Sequence, residues 1–386
     1  MPDQTATGCT GRPLIGATIA ELREVMGWSQ ARLADELAAV TGRPYTRQDI
    51  SRWECGGRKP RARTLRDIAA ALQVPMQMRE GLEVHRRTFV TDLAATAIAP
   101  VVASDLIRSG FEAALDDDAP DIDQWRATLA AYGTDYMTMG AADIQRRLAG
   151  ELVLLQRQAD RPELWGVAAK LMTLYAKTFP GSDGVKAVSW YRMAAKAADR
   201  SQDADIRVWV RGRAAIALGY EGAALPVADQ LAAEAMEIDD RPSLGRLNAL
   251  MGKAHSAAIR GDRRRALALA DEGRRVHDRA GSYEQASDYA VPWWRQNVFL
   301  SLLLARLGDE RGAAAAQEAA AAELPAELPR FATHLEMHRG LMMARAGDQT
   351  GGARYARTAL DALPPEKHSL TLRMLLDEIQ RGPVPA

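Results

Sequence analysis

Residues 28–72 read WSQARLADELAAVTGRPYTRQDISRWECGGRKPRARTLRDIAAAL, and this stretch decides the fold of the N-terminal part. Just upstream, Ile15, Ile19, Leu22 and Met26 recur at spacings of 4, 3 and 4, one face of a helix that Gly27 ends. Ser29 is placed to cap a second helix whose Leu33, Ala34 and Leu37 face inward. Thr46 opens a third, short helix, because Thr46 with Asp49 three residues on makes a capping-box arrangement. Its inward face is Ile50 and Trp53. That leaves Arg47, Gln48, Ser51 and Arg52 on the opposite face, where nothing apolar needs them. Gly56-Gly57 stop this helix, Arg58-Lys59-Pro60 start a basic loop, and Leu65, Ile68, Ala69 and Leu72 mark a fourth amphipathic helix.

The charge of the whole chain, zero from 50 basic and 50 acidic residues, hides an asymmetry. Between positions 43 and 66 eight cations stand against Asp49 and Glu54 alone, a local charge of +6 that leaves −6 for the remainder. A basic block beside a mildly acidic body is the electrostatic footprint of a polyanion-binding protein, though a solvated charged face would give the same count. Pattern decides between the two readings. A capped helix with long polar side chains on its free face suits the major groove, where Arg bonds guanine O6 and N7 and Gln bonds adenine N6 and N7. Trp53 reads as core, although aromatic residues also stack on bases.

In order and spacing, Trp28-Ser29-Gln30, Leu33-Ala34, Ile50-Ser51-Arg52-Trp53-Glu54, the Gly-Arg-Lys-Pro turn and Leu65 to Leu72 resemble the XRE family, relatives of the lambdoid phage repressors and Cro proteins. The resemblance covers about 60 residues and departs from the pattern by an insertion, AAVTGRPY, between the second and third helices. It implies base reading by Arg47, Gln48, Ser51 and Arg52, and phosphate contacts from Gln30, Thr46, Arg58 and Lys59, which position without reading sequence. It also implies a salt bridge between Arg23 and Glu54. The partner that the resemblance implies is double-stranded DNA carrying a palindromic operator.

The rest of a 386-residue chain is too long for one ordinary core. The reading is all-α, with four parts: a disordered start over 1–13, a lambda-repressor-like helix-turn-helix domain over 14–76, connecting helices and linker over 77–125, and a tetratricopeptide-like α-solenoid over 126–386. Prolines at 75, 100 and 120 and the run Asp116-Asp117-Asp118 mark the linker. Arg86-Arg87 with the apolar stretch after it faintly suggests a twin-arginine signal, but it lies deep in the chain and Asp92 interrupts it, so it reads as a connecting helix. Beyond 126, Gly-Asp pairs recur at 261–262, 308–309 and 347–348, spaced 47 and 39 residues apart. Stepping 7 back, 5 forward and 12 forward from each Gly reaches Ala254, Ala266 and Gly273; Ser301, Ala313 and Ala320; Gly340, Gly352 and Ala359. All nine are small, as two helices joined by a tight turn require where their axes approach. Residues 181–184 and Gly219–Gly222 fall where two further turns belong, giving about five helix pairs.

These spacings resemble tetratricopeptide repeats of more than the usual length. Such a body behind an XRE head is similar to the peptide-responsive RRNPP group and actinobacterial relatives, cytoplasmic regulators of Gram-positive bacteria. That implies a homodimer and a quorum-sensing effector, a peptide or small molecule. Asn248 and Asn297, the only asparagines, lie 13 and 11 residues before a Gly-Asp turn, on helices expected to line a concave groove. Their amides offer both donor and acceptor to a ligand backbone. His255, Tyr289, Trp293, Trp294, His334 and His338 complete this candidate effector site, with packing between repeats as the competing reading for Trp293 or Trp294. A ligand-independent scaffold that recruits a protein through its repeats is the alternative function.

Other classes find little support. His334 and His338 stand at i and i+4, but in HLEMH with no third ligand nearby, so no metal site or cofactor is expected. Phosphate-binding loops, nucleophile elbows and dinucleotide fingerprints are missing, which argues against an enzyme. Met1–Thr10 lacks the marks of a signal peptide, and no apolar run is long enough to span a membrane. Cys9 and Cys55 suggest no disulfide role, in keeping with the cytoplasm.

Overall fold

All regular structure among the described residues is helical. The computed structural model describes residues 16, 19–20, 23, 28–58, 60–71, 121–158, 161–179 and 184–381. Lys59, Ile15, Leu22, Met26, Leu72, most of the linker and the expected turn at 181–183 lie outside them. The chain divides into two units, residues 1–100 with 181–185, and residues 101–180 with 186–386. No helix among the described residues is long and apolar enough to cross a membrane.

In the first unit, α1 (Gln30–Thr41), α2 (Arg47–Glu54) and α3 (Ala62–Ala71) follow the helical residues Ile19, Ala20 and Arg23. The Ser29 hydroxyl caps α1 by accepting from Arg32 N, and Gly42, at φ 68°, ends it in the left-handed conformation that glycine tolerates. Of the inserted AAVTGRPY, positions 38–41 thus lengthen α1 and Gly42 turns the chain. Ile19, Leu33, Ala34, Leu37, Ile50, Trp53, Ile68 and Ala71 form one core. Tyr45 meets the Trp53 ring edge-on at 5.8 Å, so Trp53 is packed rather than presented. Cys55, at the end of α2, is disulfide-bonded. The expectation that the cysteines have no disulfide role is thereby corrected for Cys55.

The second unit begins with α4 (Ile122–Thr138), α5 (Ala141–Arg157), α6 (Leu164–Ala176) and, from residue 186 onward, α7 (Gly184–Ser201). Residues 122–125, assigned above to the linker, are the first turn of α4. The overlooked signal is Asp121 with Gln124, a second capping box. Then come α8 (Ala204–Glu221) and α9 (Leu225–Ile238), α10 (Leu244–Ile259) and α11 (Arg263–Ala280), α12 (Trp293–Arg306) and α13 (Glu310–Glu323), α14 (Pro329–Arg345) and α15 (Gln349–Asp361), and a closing α16 (Leu370–Arg381). Each pair packs internally, and the first helix of each pair packs on the first helix of the next, the arrangement of a helical-repeat solenoid. In addition, α16 returns to touch α8.

The Gly-Asp pairs are the hinges of these hairpins. Gly261, Gly308 and Gly347 have φ of 81°, 68° and 107°, while Asp262, Asp309 and Asp348 cap the next helix by accepting from Arg265 N, Gly312 N and Gly351 N. Two local requirements explain the dipeptide: a residue free to adopt positive φ, then an N-cap carboxylate. Eight of the nine small residues are buried; Ala359 is half-buried, and Ala356 takes the close position. Upstream, Gly222 makes the turn after α8. Gly219 does not belong to that turn: with Gly212 it faces Gly245 and Gly252 across the α8–α10 contact, where a Cβ on Gly212 would stand 2.0 Å from Gly245 O.

Candidate functional site

In the head, α2 owes its position to a buried polar knot. Glu54, 1% exposed, accepts from Arg23 Nε at 2.7 Å and Nη2 at 3.0 Å, and from Gln30 Nε2 at 2.8 Å. Arg23 Nη1 also donates to Trp28 O at 2.8 Å. One end of α2 is therefore fastened to the preceding helical segment and to the start of α1. At the other end Thr46 and Asp49 form a reciprocal capping box, with Thr46 N to Asp49 Oδ2 at 3.0 Å and Asp49 N to Thr46 Oγ1 at 3.2 Å. The Thr46 hydroxyl holds the Asp49 carboxyl below its usual range, so the cap stays ionised at neutral pH.

Between these fixed ends Arg47, Gln48 and Arg52 are exposed and Ser51 is half-buried, opposite the buried Ile50 and Trp53. Arg58 is exposed beyond the helix, its backbone N–H donating to Arg52 O at 3.1 Å. Gln30 gives one amide hydrogen to Glu54, and its second is what remains for a phosphate.

The body treats the expected effector residues differently. Asn248 is buried with neither amide atom hydrogen-bonded. Asn297 is buried too, and its Nδ2 donates to Trp293 O, one turn back on its own helix, at 2.9 Å. Trp294 is core, its indole N–H on Gln285 O, whereas Trp293 is partly exposed beside the His277 ring. Tyr289 packs on Trp209 with 5.3 Å between ring centres. His334 and His338 lie at 3.3 and 3.0 Å from the Tyr220 hydroxyl; Ser301 Oγ is 2.9 Å from His338 Nδ1, and His255 lies beside Arg306. Burial drives all three histidines toward the neutral form, His334 to a pKa of about 3. These eight residues do not share one pocket. His255, His334 and His338 gather round the Tyr220 ring, with ring centres 5.2, 5.8 and 6.2 Å away, whereas Asn248 stands on α10, Trp293, Trp294 and Asn297 on α12, and Tyr289 on the segment before α12.

Only His334 of that set reaches a cavity of about 80 Å³ inside the second unit. This cavity is cationic. Asp288, on the segment between α11 and α12 and fully buried, receives Lys177 Nζ at 2.5 Å, Arg213 Nη2 at 2.8 Å and Arg295 Nη2 at 2.7 Å. Arg295 Nη1 further donates to the carbonyls of Ser287, Asp288 and Ala290. Arg330 adds a fourth cation, donating to Tyr136 O at 2.8 Å, and Glu221 a second carboxylate, accepting from Thr371 at 2.7 Å. Burial pushes Lys177 well below its ordinary value and Glu221 above its own, while the three cations hold Asp288 ionised despite its burial. The signal in the sequence was a cation inside an otherwise apolar helix run, as in VWVRGRAAIALGY and WWRQNVFLSLLLA.

A helix-turn-helix family model matches residues 19–78. No curated protein matches the chain. Among solved structures, the chain is similar to the crystal structure of Bacillus thuringiensis PlcR in complex with the peptide PapR7 and DNA, at 13% identity, covering 80% of this chain and 92% of that one, with a TM-score of 0.31. Likeness that distant carries nothing about ligand or assembly. The head is a DNA-binding helix-turn-helix domain followed by an all-helical repeat body, the organisation of a DNA-binding regulator.

Proposed function

We propose that the protein is a sequence-specific transcriptional regulator that binds a palindromic operator as a homodimer and answers to a peptide or small-molecule effector through its helical body. One observation carries the DNA reading: the free face of α2, fastened at both ends, exposes Arg47, Gln48 and Arg52 beside Ser51. In a major groove these side chains meet base edges, with Arg suited to guanine and Gln to adenine. Arg58 and the remaining amide hydrogen of Gln30 are then available to phosphates, the role expected of Lys59 too, whereas both donors of Thr46 are spent on Asp49 Oδ2 and its part is to cap α2. Arg23 and Glu54 serve this arrangement from inside by setting the angle at which α2 leaves the domain.

A single head engages one half-site, and two linked heads gain affinity from effective concentration. Half-sites of this motif lie about 34–36 Å apart, so the body has to set that distance, and a ligand that prefers one form of the body shifts it. Selecting DNA bound by the full-length protein from a random pool tests the reading. Enrichment of an inverted repeat that Arg47→Ala blurs supports it. Enrichment of no motif, with binding that depends on salt alone, defeats it.

A further inference from the structure

The cavity in the second unit has a charge that its own residues do not balance. Four cations, Lys177, Arg213, Arg295 and Arg330, face two carboxylates, Asp288 and Glu221, an excess of +2. Letting burial neutralise both Lys177 and Glu221 removes one charge of each sign and leaves the excess unchanged. Asp288 is already shared among three cations. Arg330 is 9% exposed and has no carboxylate partner among the described residues, and Arg295 Nε, at a residue 3% exposed, has no hydrogen-bond partner. Buried cations without counter-charge are expensive, and a bound anion relieves that cost. Ile216, Val298 and Phe299 give the same cavity an apolar wall. Its volume of about 80 Å³ is roughly half that of a cavity that takes up benzene, which limits the guest to a few non-hydrogen atoms.

We propose that this cavity binds a small organic carboxylate, the charged end on Arg330 and Arg295 and a short apolar body against Ile216, Val298 and Phe299. The residues come from α8, α12 and α14, with Ser369 and Thr371 contributed at the start of α16. A guest there touches the first helices of several repeats and the closing helix together. The inference deepens the effector reading and rests on it only for the consequence at DNA. Binding itself is tested without DNA.

The probes are propionate and its uncharged counterpart propionamide, titrated calorimetrically into the full-length protein at equal ionic strength. Propionate should bind at least about tenfold more tightly than propionamide. Arg330→Met should abolish the preference and Arg330→Lys should keep it, with helical content checked by circular dichroism. Equal affinities, or no heat from either probe, in the wild type would overturn the site without reference to any variant. A tenfold preference that survives in folded Arg330→Met overturns it as well. Operator affinity with and without propionate then separates the two readings. A preference for propionate with unchanged DNA affinity upholds the carboxylate site and removes its role in sensing. Selective DNA binding by a protein that ignores propionate upholds the regulator and removes the site.

Discussion

Acidification should weaken the second unit through its buried histidines, and His334 allows the effect to be worked out. Folded His334 is neutral, with a pKa of about 3 set by burial and by the nearby Arg330, against 6.5 when unfolded. It faces the Tyr220 hydroxyl and stands one helical turn before His338. Because its folded value is depressed, the unfolded state binds the extra proton. The contribution is therefore complete above 6.5 and is lost as pH falls below 6.5 toward 3. Over that window the slope approaches about 1.4 kcal/mol per pH unit for one histidine. His255 and His338 shift in the same direction, also through burial first, and add to the loss on acidification. Glu151 and Glu221, raised by burial, act oppositely, so a difference between two proteins is the clean quantity. Urea unfolding of wild type and His334→Gln at about pH 6 and about pH 5 supplies it, the wild type losing about 1.4 kcal/mol more per unit than the variant. Gln keeps a polar group for Tyr220, so the variant tests titration rather than the hydrogen bond. Parallel pH dependences for the two proteins would refute the assignment of this proton to His334.

At the DNA face, Arg47→Ala, Gln48→Ala or Arg52→Ala should each cost about 1–3 kcal/mol at the selected operator and relax its sequence. Arg58→Ala should weaken all sequences alike and reduce the salt slope by about one, read by fluorescence anisotropy across a salt series. Glu54→Ala should destabilise the head by about 3–5 kcal/mol, by removing the buried carboxylate on which Arg23 and Gln30 converge, whereas exposed Asp35→Ala stays within about 0.5 kcal/mol. Amide exchange of α1 and α2 in the full-length protein reports this, and equal exchange in the two variants would count against the knot. Gly212→Ala should cost at least about 1–3 kcal/mol in chemical denaturation, since its Cβ meets backbone across the α8–α10 contact. Gly150→Ala, with nothing within 4 Å on α5, should be neutral or stabilising by up to about 1 kcal/mol.

Features legible in the sequence are those whose cause is local. Thr46 with Asp49 announces the start of α2 because a cap is made within four residues, and Gly-Asp announces each hairpin because the left-handed turn and the next N-cap are neighbours. The small residues at fixed offsets are legible for a related reason: an identical hairpin geometry repeated along the chain demands the same small side chain at the same distance from its turn. Ala359 slips from that rule by one turn to Ala356, within the tolerance of helix packing.

The asparagines show where such reading stops. Distance from a turn placed Asn248 and Asn297 on first helices, as they are. Which way a side chain faces on a helix packed on several sides depends on all its neighbours, and Asn297 turns back to its own helix. The cavity is further removed still from any local signal. Asp288 stands on a non-helical segment, 111 residues from Lys177 and 75 from Arg213, and nothing within a helical window of any of them encodes the meeting. What the sequence does display is the cost: an arginine in the middle of an apolar helix, which a fold tolerates only when something of opposite charge waits for it. Arg213 is that case in α8; Asp288 answers for it together with Lys177 and Arg295, and Arg330 is the cation left over. An unbalanced buried charge is thus a sharper pointer to a ligand site in this chain than the tryptophans, whose burial packing alone accounts for.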